Sequence, residues 1–207
     1  MFVRSMIFDF DGTIADTLHA VIDVFNDLSD EFGFRRGTQE ELQLFMGRGL
    51  RELATCVGLS WERLPDLAVR VREEMSRQMH LIQPCAGMVP ALLALRARGV
   101  RLGILTSNNR ENVERFLEHH PTLQFDFISG GAGLFEKHTV LQSLLATQGL
   151  ASADTCYVGD EVRDVEAARV LGMRTVAVTW GFSSSQLLAA CNPDHLIADP
   201  NELLTLV

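Results

Sequence analysis

Short unbroken apolar runs alternate along this chain with segments in which apolar residues return every three or four positions. The runs at 4–9, 101–106, 125–129, 155–159, 174–179 and 195–198 predict strands, and their continuous hydrophobicity fits strands covered on both faces. Between them, 87–98, 109–119, 137–148 and 162–171 carry helical periodicity. In the first, Met88, Leu92 and Leu95 share a face, Pro90 suits the opening turn and Gly99 stops the helix. The second opens at Asn108 as an N-cap with Glu111 three residues on, ahead of Val113, Phe116 and Leu117. The third offers Val140, Leu141, Leu144 and Leu145, and Gly172 closes the fourth. Strand alternating with helix predicts an α/β fold, a doubly wound parallel sheet with helices on both faces.

One interval breaks this rhythm. From 17 to 83 the pattern is helical throughout, with amphipathic stretches at 18–32, 39–47, 49–57 and 62–80, the second opened by Thr38 and Glu41 in capping-box spacing. No segment there reads as a strand. An insert of this kind, placed after the first strand, is expected to form a helical cap domain over the carboxyl edge of the sheet. Residues 1–16 and 84–207 would then be the core, joined to the cap near 15–17 and 83–87.

Composition narrows the function classes. With 207 residues and 47% hydrophobic content the chain can bury a substantial core. A net charge of −9 argues against nucleic acid or an anionic membrane surface as partner. No run reaches the roughly 18 apolar residues of a membrane span, and the start lacks the apolar stretch and cleavage site of a secretory leader. The expectation is a cytoplasmic protein. Cys56, Cys85, Cys156 and Cys191 are far apart, without a C-x-x-C pair, and are expected to be reduced thiols. Of the 18 basic residues only Lys137 is a lysine. Where arginine fills every other basic position, a lone lysine marks a place suited to a compact ammonium.

The candidate chemistry sits at strand ends. Residues i and i+2 of an extended segment point the same way, so Asp9 and Asp11 can present both carboxylates beyond the first strand, where open α/β sheets bind ligands. A calcium loop starting at Asp9 would need glycine at 14 and glutamate at 20, and the chain has Ile14 and Ala20. Paired carboxylates suit covalent phosphoryl transfer, one attacking phosphorus and the other exchanging protons. A carboxylate about 4 Å from a phosphate dianion is opposed by roughly 8 kcal/mol at an effective dielectric of 20. A magnesium ion and a fixed ammonium are therefore expected. Thr106 and Ser107 end the next strand before a helix N-terminus, a position suited to phosphate. Lys137 follows the glycine-containing segment 130–136. Asp160 ends a further strand, with Asp164 four residues on in the first turn of a helix.

Taken in order, Asp9-Phe10-Asp11-Gly12-Thr13, Thr106, Lys137 and Gly159-Asp160 with Asp164 resemble the four motifs of the haloacid dehalogenase superfamily of aspartate-nucleophile phosphotransferases. The tail from Val176 to Leu203 looks most like its phosphoglycolate phosphatase branch. The resemblance implies a Rossmann-like core with a helical cap and a magnesium-dependent phosphatase acting on a small phosphorylated metabolite. It makes Asp9 the nucleophile and Asp11 the general acid/base, whose backbone carbonyl also serves the magnesium. Thr106, Ser107 and Lys137 would bind the transferring phosphoryl group. Asp160 would complete the magnesium shell with Asp9, and Asp164 would join it directly or through water. His138 after Lys137 departs from the common Lys-Pro form.

Two rivals use similar parts. A sugar phosphomutase of the same superfamily would use a cap histidine, for which His19 is the nearest candidate although its spacing fits poorly. A signalling module phosphorylated on aspartate would lack both the insert 17–83 and the proton-transfer partner Asp11. For substrate selection the segment "FMGRGLREL" is the candidate, with Arg48 and Arg51 reaching an anionic group. The substrate and the choice between monomer and homodimer are open at this level.

Overall fold

The computed structural model describes residues 3–131 and 137–207. Its centre is a six-stranded parallel sheet in the order β3-β2-β1-β4-β5-β6. The strands are β1 (Ser5–Phe8), β2 (Arg101–Leu105), β3 (Phe127–Ser129), β4 (Thr155–Gly159), β5 (Arg174–Val178) and β6 (His195–Ile197). Each lies within one of the six predicted runs, shorter by one or two residues in all but β4. The core helices are α6 (Met88–Ala97), α7 (Arg110–His119), α8 (Lys137–Gln148), α9 (Val162–Val170) and the short α10 (Ser185–Ala190). Five helices precede them in the chain, α1 (Leu18–Asp27), α2 (Ser29–Phe32), α3 (Gln39–Arg48), α4 (Leu50–Val57) and α5 (Leu64–Gln78), and these form the inserted cap.

The unbroken apolar runs are explained by the two faces of the sheet. Met6, Phe8, Leu102, Ile104 and Val158 pack with Met88, Leu92, Leu95, Val113 and Phe116 of α6 and α7. Ile7, Leu105 and Tyr157, one position out of phase, pack with Leu141, Leu144 and Leu145 of α8 and Ala168 of α9. Strand periodicity of two thus divides one apolar run between two helical layers.

Register places the functional edge. Phe8 pairs with Ile104 on one side and Val158 on the other. Asp9, one residue beyond Phe8, and Thr106 and Asp160, each two beyond Phe8's partner on its strand, therefore emerge together at the carboxyl ends of three adjacent strands. β1 lies where the strand order reverses, the position at which open α/β sheets bind ligands.

The two cap connections run side by side. Asp16 N–H donates to Gln83 O at 2.9 Å, Cys85 N–H donates to Ile14 O at 2.8 Å, and Ala15 bridges Pro84. Cap residues Ile22, Phe25, Leu53, Leu67 and Met75 belong to the same apolar cluster as the α6–α7 face.

Several boundaries differ from the sequence reading. The segment 18–32 is two helices divided at Leu28, and the second ends at Gly33 in the left-handed conformation (φ 70°). The segment 62–80 begins as a 3-10 turn, Trp61–Arg63, before α5 with its proline in the first turn. The N-cap of α7 is Asn109, not Asn108. Asn108 is thereby freed to bond elsewhere, to Asp11. All four cysteines are free thiols. Among the described residues no helix is long and apolar enough to cross a membrane.

Candidate active site

Asp9 continues the β1 ladder by donating its N–H to Val158 O at 2.8 Å. Its side chain is buried; Oδ1 accepts from Phe10 N at 2.9 Å, and Oδ2 lies 3.0 Å from Lys137 Nζ. Lys137, also buried, makes a second ion pair with Asp164 Oδ1. The lone lysine thus links the strand-end carboxylate to the first turn of α9. Most of the segment 130–136 that precedes it, from 132 on, lies outside the described residues.

Asp164 serves two structures at once. Its Oδ2 accepts from Glu161 N at 3.0 Å, completing a reciprocal capping box at the start of α9, while Oδ1 faces Lys137. The cap and the charge cluster are therefore built from one side chain.

Asp160 is held on both oxygens. Thr13 Oγ1 donates to Oδ1 at 2.6 Å, and Phe182 N donates to Oδ2 at 2.8 Å. Gly12 makes this approach possible: its φ is +73°, and a Cβ there would lie 2.5 Å from Asp160 Oδ2 and from the Phe182 ring. The Asp-Gly-Thr sequence after the paired acids is thus a turn whose threonine orients a carboxylate 147 residues away. Neither Thr13 nor the 180–183 loop was singled out for this by sequence reasoning.

Asp11 is half-buried and accepts from Asn108 Nδ2 at 3.2 and 3.0 Å. Asn108 Oδ1 in turn accepts from Asn109 N and Asn112 Nδ2, each at 2.8 Å, which fixes the amide. The asparagine read as a helix cap therefore positions the second carboxylate.

Burial dominates the electrostatics. Desolvation, then the Asp9 charge, raises the Asp11 carboxyl to about 6, although Asn108 pulls it down. Desolvation, with Glu161, Asp9 and Asp164, pushes Asp160 well above the carboxylate range. Asp164 is also raised by desolvation, partly offset by Lys137. For Lys137 burial acts downward, but Asp164 and Asp9 outweigh it, so the ammonium is retained. Oxygens of Asp9, Asp160 and Asp164 lie within 4.8 Å of one another in fully buried surroundings. Three crowded carboxylates with two upward shifts form an all-oxygen donor set that fits a hard divalent cation.

At the end of β2, Thr106 is buried and its Oγ1 accepts from Asn108 N at 3.0 Å, forming a turn that places Ser107 and Asn108 on the wall of a cavity. This cavity, of about 170 Å³, runs between sheet edge and cap. Asp9, Asp11, Glu161 and Arg163 line its core side, while the cap side is largely apolar, with Phe25, Leu53, Leu67 and Met75. Arg72 is the cap's basic residue on this wall. The expected specificity arginines are elsewhere: Arg48 sits over the Phe45 ring and Arg51 over the Trp61 ring, and neither lines the cavity. Their aromatic neighbours lie on their own cap elements or the adjoining turn, and the bend expected of Gly47 and Gly49 falls at Gly49 alone, since Gly47 lies within α3. His19 is engaged with Gln39 and does not line the cavity either.

With this geometry in place, comparison with known proteins gives the family. Residues 6–178 match the haloacid dehalogenase-like hydrolases, and the chain belongs to that family. It is 36% identical over 206 residues to a phosphoglycolate phosphatase of Synechococcus elongatus, covering 99% of this chain and 97% of that protein. It is 24% identical to the pyrophosphatase PpaX of Bacillus velezensis, covering 98% and 95%. Among solved structures, a haloacid dehalogenase-like family hydrolase from Streptococcus pneumoniae superposes with a TM-score of 0.81 at 26% identity, covering 98% and 97%.

Proposed function

We propose that this chain is a magnesium-dependent phosphatase that hydrolyses a small phosphomonoester through an aspartyl phosphate on Asp9. In this reading residues 17–83 are the cap and residues 1–16 with 84–207 the catalytic core. The observation that carries it is the buried Lys137 ammonium shared by Asp9 and Asp164 beside Asp160, with a second carboxyl, Asp11, that burial and the Asp9 charge raise to about 6. The similarity to phosphoglycolate phosphatases makes phosphoglycolate the first candidate substrate. A cytoplasmic location fits such a metabolite.

A magnesium ion held by Asp9, Asp160 and Asp164 would supply positive charge against the phosphate oxygens. The remaining steps belong to the chain. Ser107, Thr106 and Lys137 hold the phosphoryl group. Asp9 attacks phosphorus; the new Asp9 O–P bond forms as the ester O–P bond breaks. Asp11, protonated and oriented by Asn108, gives its proton to the leaving alcohol. Once ionised, it takes a proton from the water that attacks the acyl phosphate, releasing phosphate and restoring Asp9. The apolar cap wall limits water at the site during the first step.

Phosphate release from phosphoglycolate or p-nitrophenyl phosphate is expected to stop with EDTA and return with magnesium; release that persists in EDTA overturns the metal requirement. Thermal unfolding gives a check independent of turnover. Asp11, Asp160 and Asp164 have raised folded-state values, so the folded protein holds more protons than the unfolded chain. Their contribution to stability falls as pH rises from 3.8 through about 6, the window set by Asp11. A bound cation replaces those protons. Magnesium should therefore raise Tm more at pH 7.5 than at pH 5, and an equal or reversed effect would count against the carboxylate cluster as its site.

A further inference from the structure

Two guanidinium groups, one from the cap and one from the core, converge on Ser107. Arg72 Nη1 lies 3.5 Å from Ser107 O, and Arg163 Nη2 lies 3.5 Å from Ser107 Oγ. Both arginines line the cavity, as Ser107 does. Glu161 holds Arg163 through Nε at 2.7 Å and through Nη2, and so offsets one of the two charges. Among the described residues Arg72 has no acidic partner; its Nη1 has only the Ser107 carbonyl. Arg163 Nη1 is buried without a hydrogen-bond partner. Glu161, Asp9 and Asp164 already balance Arg163, so the positive charge left on this wall is that of Arg72. An anion there would pair with Arg72 and reach the unpartnered Arg163 Nη1, and planar guanidinium groups suit a carboxylate.

Position defines the anion. Ser107 directly follows Thr106 at the phosphoryl end of the cavity, so a group meeting both arginines lies close to the ester. Beyond it the wall is apolar, with Phe25, Leu53, Leu67 and Met75. We propose that Arg72 and Arg163 form a second anion subsite, selecting phosphomonoesters whose ester carbon itself bears a carboxylate and whose body is otherwise short and apolar. This inference rests on the phosphatase reading above. It replaces Arg48 and Arg51 with Arg72 as the cap residue that selects substrate.

The test compares phosphoglycolate with ethyl phosphate, which has the same two carbons and no carboxylate, in the presence of magnesium. The wild-type protein should prefer phosphoglycolate in kcat/KM, mainly through KM. In Arg72→Ala the ratio of the two kcat/KM values should fall about 100-fold, as expected when one partner of a desolvated charge pair is removed, and Arg72→Lys should restore part of it. A wild-type protein without that preference overturns the subsite and leaves the phosphatase reading intact. So does an Arg72→Ala variant that loses rate on both esters with its ratio unchanged, because Arg72 would then serve the phosphoryl group or cap closure. If neither ester is hydrolysed while p-nitrophenyl phosphate is, the subsite is overturned alone; if none of the three is, the phosphatase reading falls and takes the subsite with it.

Discussion

Asp9→Asn should lose at least about 10⁴-fold in kcat while remaining folded, the scale on which removal of a catalytic nucleophile acts. The amide keeps an oxygen that can accept from Phe10 N, so the strand end is preserved. What disappears is one charge from a crowded cluster. Asp9 is among the groups that raise Asp11, Asp160 and Asp164, and its neutralisation lets all three fall toward the ordinary carboxylate range. In the absence of metal the variant should therefore unfold at the same temperature as the parent or above it. Circular dichroism melts alongside phosphate release separate the two effects. A variant that retains substantial magnesium-dependent turnover would remove Asp9 from the nucleophile's role.

Lys137→Met should damage both activity and stability. The side chain keeps its length and loses the ammonium between Asp9 and Asp164. Loss of one preorganised charge facing the phosphoryl group predicts a decrease of about 10²- to 10³-fold in kcat. Breaking a buried pair on one side also costs roughly 3–5 kcal/mol, because an uncompensated charge stays behind. The pH dependence identifies that charge. Lys137 is the main group holding Asp164 down, so without it the folded-state value of Asp164 rises further above the unfolded value of 3.8. Stability is then lost as pH increases through that widened interval. Urea unfolding without metal should show a larger deficit at pH 7.5 than at pH 5. A deficit that is the same at both values would mean that Lys137 acts by packing against Tyr157, whose ring lies beneath its ammonium, and not by charge.

The sequence was most readable where chemistry interrupts a periodic pattern. Asp9 and Asp160 are charges at the ends of apolar runs, and Lys137 is a lone lysine among arginines; each ends up buried in the site. The six runs became the six strands because a parallel sheet covered on both faces leaves little room for polar side chains. Less was legible where a residue's role depends on a distant element. Asn108 has the local signature of a helix cap, and only the approach of β1 to β2 turns its amide toward Asp11. Arg72 is one of several arginines on α5, and nothing local distinguishes it from Arg70, which is tied to Glu31, Glu73 and Glu74. The docking of α5 against Ser107 makes the difference. Arg48 and Arg51 drew notice because glycines surround them, but glycine records a bend and not the direction in which it faces. The short α10 went unread although Ser184 caps it by accepting from Leu187 N, since six residues carry too little periodicity to register.

Formation of the covalent bond between phosphate and Asp9 is the step on which the proposed reaction depends. Its most direct test is to mix the protein with p-nitrophenyl phosphate and magnesium and quench within milliseconds. The acyl phosphate is then reduced with borohydride, and the peptide carrying residues 5–35 is sequenced by mass spectrometry. Reduction converts a phosphorylated aspartate to homoserine, so homoserine is expected at position 9 with Asp11 unchanged. Homoserine at position 11, or an unmodified peptide under conditions in which phosphate is being released, would contradict it.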